Sequence, residues 1–398
     1  MTRLLDDPGA RRVMDLVRAG AILQVVLFHV LYGLLRFSPD GAAQGIIARM
    51  PWWLDFGWQA YGVDLLFLVS TFLLASGLWH EQKVAGRIDT RQYIVRRLSR
   101  ILPLYWLAVL AYGIAAGDGV QTMIVSAAFL GFVVGDANVV PVGWTMEAMM
   151  IVYLALPFTV AALARSRFPL HWVAAAFLLS GLVRAGYIWW ADEEMARMMP
   201  RMIAEKTGTE AGFELYFRLW FRLPPFLAGL WLAIWLARHP LPRRGGPVLV
   251  ALGLALCWVS AAIPVHDTDS WVYGLFGETA WRVYWAFAIP VFAVGAGLLL
   301  VAALARGTGG TPKAWHRLFA PVSESIFGIY LFHMVFMLLA AIVVFRSTDR
   351  AALVEAGPGA ALAVWAVTAL LSLAACLPLT RFVERPAQTW LRRRLSRG

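Results

Sequence analysis

Ten stretches of mostly apolar residues, each about the length of a membrane-crossing helix, recur along this chain and decide what it can be. They fall at 13–35, 61–79, 101–116, 144–163, 170–190, 219–237, 247–264, 282–304, 322–345 and 359–379. A backbone inside hydrocarbon has no water to bond, so each stretch must satisfy its own amides and carbonyls as a helix. The sequence therefore predicts an all-α polytopic membrane protein of about ten transmembrane helices. Composition agrees: of 398 residues, 60% are hydrophobic and only 15% are charged, where a soluble domain is about a quarter charged. Soluble globular and disordered chains are excluded. The formal net charge of +11 invites a nucleic-acid reading, but nucleic-acid binders carry their charge on a solvated face, and here it lies between apolar segments. No nucleic-acid partner is expected.

An eleventh apolar run, 121–135, is shorter and contains Ser126, Gly131 and Gly135. Lys and Arg concentrate on the cytoplasmic side of membrane proteins. With ten crossings, most cations fall on one side, at 83–100, 165–167, 238–244, 306–317 and 381–397. An eleventh crossing shares them equally between the two sides. The sequence thus predicts both termini in the cytoplasm and a re-entrant or interfacial segment near 121–135. It reads as one integral-membrane domain over 1–398, with a short basic cytoplasmic tail at 380–398. The loop 191–218, with Met195, Met198, Met199 and Met202, reads as an interfacial helix, with a lid as the alternative. Trp52, Trp53, Trp144, Trp189 and Trp190 fall near span ends, as aromatic belts do. Cys257 and Cys376 lie in apolar runs with no zinc or disulfide spacing, and no metal site is expected.

Ionisable groups within spans are costly, and each is a candidate for function. In the first span Arg18 and His29 are 11 residues apart, about three turns and about 16.5 Å along one helix face. A snorkelling Arg and a structural His are the plain alternative. Asp64 and Glu147 sit near the outer ends of the second and fourth spans, where a helix dipole favours a carboxylate even without catalysis. His333 lies near the middle of the ninth span, either lining a cavity with His29 or simply buried. Arg96, Arg97 and Arg100 open the third span on adjacent helical positions. They serve topology, a phosphate clamp, or both.

Several segments together resemble the acyltransferase-3 family of multispanning membrane acyltransferases. Arg18 to His29 is similar to the family's Arg-x10-His, and Tyr61–Leu73 to its "GVDLFFVLSGFL" stretch, with Thr71 where glycine is usual. Arg96–Tyr105 resembles "RRxxRIxPxY", and Trp144–Pro157 "WxLExExxFYxxxP", with Met149 at the place of a second glutamate. Ser323–His333 resembles "SxxxxxIYLxH", and Glu384-Arg385-Pro386 the terminal "ERP". The six segments occur in family order from residue 13 to 386.

The resemblance implies a cell-membrane O-acyltransferase. It would move an acetyl or similar group from cytoplasmic acyl-CoA, a donor substrate rather than a resident cofactor, to a hydroxyl of a cell-surface carbohydrate or lipid-linked sugar. Membrane lipid is the third partner. In that reading Arg18, Arg96, Arg97 and Arg100 bind CoA phosphates, while His29, Asp64 and Glu147 are catalytic, with His29 as general base. Ser70, Tyr330 and His333 contact substrate, Ser70 and Tyr330 as candidates for the oxyanion donor. Histidine suits the base because its ordinary pKa lies near the working pH. The competing function is a secondary transporter or flippase using the same intramembrane polar residues.

Overall fold

Helix replaces hydropathy at all ten of the apolar positions. The computed structural model describes residues 7–39, 42–51, 54, 60–134, 138–191, 210–242, 246–261, 271–307 and 313–395. The methionines at 195, 198, 199 and 202, together with Trp52 and Trp53, lie outside these. Along the chain come α1 (Pro8–Phe37), α2 (Ala42–Arg49), α3 (Gly62–Ala85), α4 (Thr90–Ala116), α5 (Val120–Ala127), α6 (Gly131–Val134), α7 (Gly143–Arg165) and α8 (Pro169–Trp190). Then follow α9 (Glu210–Phe217), α10 (Leu223–Arg238), α11 (Gly246–Ala261), α12 (Trp271–Gly307), α13 (Lys313–Glu324), α14 (Ile326–Phe345), α15 (Pro358–Leu379) and α16 (Arg385–Leu395).

Among the described residues, eight helical stretches are long and apolar enough to cross a membrane: α1, α3, α4, α7, α8, the part of α12 from Gly277 to Arg306, α14, and the run Pro358–Arg394. The other two expected spans, α10 and α11, are apolar helices over 16 described residues each, and α10 is about 24 Å long against a hydrocarbon core of about 30 Å. In α10 the reason is local. Pro224 and Pro225 fix its first turn, so Leu219–Phe221, expected within the span, form a separate 3₁₀ turn.

Within 121–134 no helix is long enough to cross a membrane. The segment breaks into α5 and α6, of eight and four residues, around Phe129 at φ 59°. Protein groups hold it: the Tyr105 hydroxyl donates to Ser126 O (3.1 Å), and the Trp106 indole to Ala127 O (3.1 Å). Irregular backbone at membrane depth is stable on that condition.

Helix ends follow local chemistry. Asp7 caps α1 by accepting from Gly9 N at 2.8 Å, with Pro8 in the first turn. Asp89 caps α4. Gly117 closes α4 at φ 73°, with Gly117 N donating to Ile114 O and Asp118 N to Gly113 O, a left-handed turn for which glycine carries no Cβ penalty.

Helix α1 is the hub, packed by α3, α12, α13, α14 and α15, and Ala19, Ala21, Ile22, Val25 and Val26 are fully buried on it. Helices α3 and α10 press together at Gly229, where a Cβ would collide with Leu68 O. At the periphery, α8 shows Trp172, Leu178, Leu179 and Leu182 outward, an apolar face that only hydrocarbon covers at no cost.

The start of α1 and the C-terminal helices share one end of the bundle. Asp15 pairs with His316 (3.1 Å) and accepts from Ser323 Oγ (2.9 Å). Glu324 pairs with Arg381 and Arg385 (3.1 and 3.0 Å). Arg392 Nε donates to Ser99 Oγ (3.3 Å), laying α16 against α4. This is the basic end; the far end is where α1 finishes.

Candidate active site

His29 and His333, on α1 and α14, meet in the interior, 304 residues apart in sequence. Nε2 of His333 lies 3.1 Å from Nδ1 of His29, with ring centroids 4.8 Å apart. The proton positions follow from their partners. Nδ1 of His333 faces two carbonyl oxygens, Tyr330 O at 2.8 Å and Ile329 O at 3.1 Å. Carbonyls only accept, so that nitrogen carries the proton, and in the neutral ring Nε2 is a lone pair. Nδ1 of His29 then faces two acceptors, this lone pair and Val25 O at 2.9 Å, and carries a proton in turn. What remains is Nε2 of His29, an unprotonated nitrogen that has no hydrogen bond among the described residues. His333 is fully buried, while His29 is half-buried.

Towards the basic end, Arg18, Arg97 and Arg100 all bear electrostatically on the phenol of Tyr153, and Ser70 lies beside its hydroxyl. The guanidinium of Arg18 is 3.8 Å from Asp15. Nε of Arg97 is buried with no hydrogen-bond partner among the described residues, and Arg96 turns its guanidinium to Gln92 at 2.7 Å. Glu384, in a π-helical turn at Thr380–Glu384, interacts with Arg100. Four of the sequence-selected residues, Arg18, Ser70, Arg97 and Arg100, thus share one polar cluster three turns below His29, and Arg96 lies at its edge.

The two carboxylates have other partners. Asp64, fully buried, accepts from Arg222 Nη1 at 2.8 Å. Arg222 also donates to Tyr216 O (2.9 Å) and lies over the ring of Tyr216, 4.4 Å from its centroid. Arg184 braces the same region by donating to the carbonyls of Trp285, Leu215 and Phe221. Glu147 is also buried, and its Oε1 accepts the Gly131 amide at 2.9 Å, so it ties α6 to α7. Met149 lies against the Tyr153 hydroxyl, its sulfur 4.0 Å away.

Tyr330 is committed as well. Thr145 Oγ1 donates to Val142 O (2.8 Å), so the 2.6 Å contact between Thr145 Oγ1 and the Tyr330 hydroxyl uses the tyrosine proton. Arg184 and Arg222 also lie within the apolar stretches 170–190 and 219–237, and no role is expected of them from the sequence. The signal was available: a buried arginine needs a carboxylate, and Asp64 is one of few at that depth. Thr145 and Tyr216 had no such signal.

An acyltransferase-domain family model, that of the acyltransferase-3 family, matches residues 11–381. The chain belongs to that family. No curated protein and no solved structure matches it. As a family member the chain is a multi-pass membrane acyltransferase, and the His29–His333 contact joins its first helix to its ninth apolar span.

One consequence concerns Glu147. Glu147→Ala in this acyltransferase leaves the buried Gly131 amide without that acceptor, which costs about 1–3 kcal/mol. The expected result is a lower melting temperature and faster deuterium uptake across 120–134, read by hydrogen-exchange mass spectrometry. Uptake equal to wild type would show that the bond does not hold the segment.

Proposed function

We propose that this acyltransferase moves an acyl group from cytoplasmic acyl-CoA to a hydroxyl of a cell-surface carbohydrate or lipid-linked glycan, with His29 as general base. The observation that carries the proposal is the hydrogen-bond chain from Val25 O and His333, which leaves a bare lone pair on His29 Nε2. In the reaction, Nε2 takes the acceptor hydroxyl proton as the oxygen attacks the thioester carbonyl. The tetrahedral intermediate collapses, the carbon–sulfur bond breaks, and the departing thiolate takes the proton back from His29. Catalyst and charge return to their starting state. His333 has a positioning role: its Nε2 accepts from His29 Nδ1 and fixes the tautomer.

The donor enters from the basic end, which this reading places in the cytoplasm of a cell membrane. Arg18, Arg97 and Arg100 lie within mutual reach there, and guanidinium binds phosphate in bidentate fashion. Arg96 and Arg392 stand at the rim. The span of about 16.5 Å from Arg18 to His29 suits a thin pantetheine arm.

The test is direct. Purified protein in vesicles is given acetyl-CoA labelled in the acetyl group, with glycans from the producing cells as acceptor, and the product is read by mass spectrometry. An acetylated glycan is expected; CoA release without any acylated product would overturn the acceptor assignment. The phosphate assignment has its own readout. Arg97→Gln and Arg100→Gln are expected to raise KM for acetyl-CoA at least about tenfold, because a hydrogen bond to a charged group contributes about 1.5–3 kcal/mol. With acetyl-N-acetylcysteamine, a thioester lacking phosphates, KM should hardly change. An equal rise for both donors would remove the phosphate clamp from the mechanism.

A further inference from the structure

One helical turn beyond the histidines, towards the far end, α1 and α14 meet again. Gly33 follows His29 by four residues and Met337 follows His333 by four, so the second contact stacks on the first. It is close: a Cβ on Gly33 would lie 2.9 Å from Met337 Cε. From this contact a half-open cavity of about 300 Å³ runs on between α1, α14 and α15. The buried Val30, Leu34 and Val364 line it with Ala341, Ile342 flanks it, and Ser347, Asp349 and Arg350 join from beyond α14. Its volume is at the lower end of the range for small-molecule sites, about 300–1,000 Å³.

We propose that this cavity is the subsite for the hydrocarbon chain of the donor's acyl group, with Met337 against Gly33 as its adjustable floor. The inference rests on the reading of His29 as the point of transfer. A thioester delivered from the basic end presents its carbonyl at His29 and points its chain onward along the same helix faces. Gly33 and Met337 stand between the histidines and the cavity, so the chain enters it one turn on, past Met337. The lining argues for a hydrocarbon occupant: along α1, α14 and α15 it returns no side-chain hydrogen bond to a sugar, and its polar side chains all lie beyond the end of α14. The floor residue argues for adjustment, since an unbranched thioether side chain changes rotamer cheaply and glycine opposite leaves it room. Leu338 and Ile342 are exposed on the flank, so a chain that outgrows the cavity runs into bilayer hydrocarbon. The acyltransferase thus accepts acyl groups longer than acetyl.

The experiment compares kcat/KM for acetyl-, butanoyl-, hexanoyl- and octanoyl-CoA within each preparation, so that folding losses cancel in the ratio. Met337→Ala lengthens the cavity towards the histidines and is expected to raise the octanoyl-to-acetyl ratio at least about tenfold, as burial of each extra methylene contributes about fourfold. Ala341→Phe fills the cavity and is expected to lower the ratio by a similar factor. Where a variant loses all turnover, the ratio of dissociation constants for octanoyl- and acetyl-CoA is read instead. An unchanged ratio in both variants, with transfer intact in the wild type, overturns the subsite alone. So does an effect confined to KM for a lipid-linked acceptor. Absence of transfer from every thioester in the wild type overturns the reading beneath it.

Discussion

His29→Ala is expected to lower kcat for acyl transfer by about 10²–10⁴, the usual contribution of a positioned general base. The protein should still insert and fold, because the variant leaves one unpaired acceptor, Nε2 of His333, at a cost of about 1–3 kcal/mol. The measurement is label transferred from acyl-CoA to glycan, alongside a melting curve in detergent. Transfer at the wild-type rate would end the case for His29. His333→Phe separates chemistry from position. It removes the acceptor that fixes the His29 tautomer, so kcat should fall less than in His29→Ala while KM for acyl-CoA stays put. The distinction is physical: His29 offers a free nitrogen, whereas both nitrogens of His333 are engaged.

The second large effect concerns stability. Arg222→Met leaves Asp64, a fully buried carboxylate, without its hydrogen-bonded ion-pair partner. Breaking a buried ion pair from one side costs about 3–5 kcal/mol, a large fraction of the net stability of a typical fold. Loss of folded protein, seen as aggregation on size-exclusion chromatography, is the expected result. Replacing both partners, as Asp64→Leu with Arg222→Met, should recover much of the loss, because two apolar residues leave no charge stranded. A single variant as stable as wild type would show that the pair bears no load. A double variant as unstable as the single one would point instead to the carbonyl contact of Arg222 with Tyr216.

The spans were legible in the sequence because hydrocarbon imposes its requirement locally: each run of apolar residues must close its own hydrogen bonds, whatever its neighbours do. That 121–135 is not an eleventh span was legible from the distribution of Lys and Arg, and the structure holds its backbone through Gly131 N on Glu147 and Ser126 O under Tyr105. The early start of α4 was not. Its first turns carry Arg96, Arg97 and Arg100 beyond the apolar run, and only the Asp89 cap marks where they begin. The site was half legible. Arg18 and His29 share one helix, so their separation follows from helical pitch. The contact of His29 with His333 joins helices 304 residues apart, and no local periodicity encodes which distant helix lies alongside. The same holds for Asp64 and Arg222. Intramembrane charge says that a partner exists; packing alone says which.

The hydrogen-bond chain behind His29 stops at the carbonyls of Tyr330 and Ile329. Backbone carbonyls accept a hydrogen bond but have no proton to hand on, so the chain is a dead end rather than a wire. A proton collected at Nε2 has one way out, back through the reaction to the leaving thiolate. A catalyst whose donor and acceptor approach from opposite faces of a bilayer risks short-circuiting the membrane at every turnover. Here the pair holds no formal charge in its resting tautomers, and His333 is fully buried, in a setting that a bare ion would pay tens of kcal/mol to enter. On the proposed mechanism, transfer from a cytoplasmic donor to an outer acceptor therefore leaves the proton gradient intact.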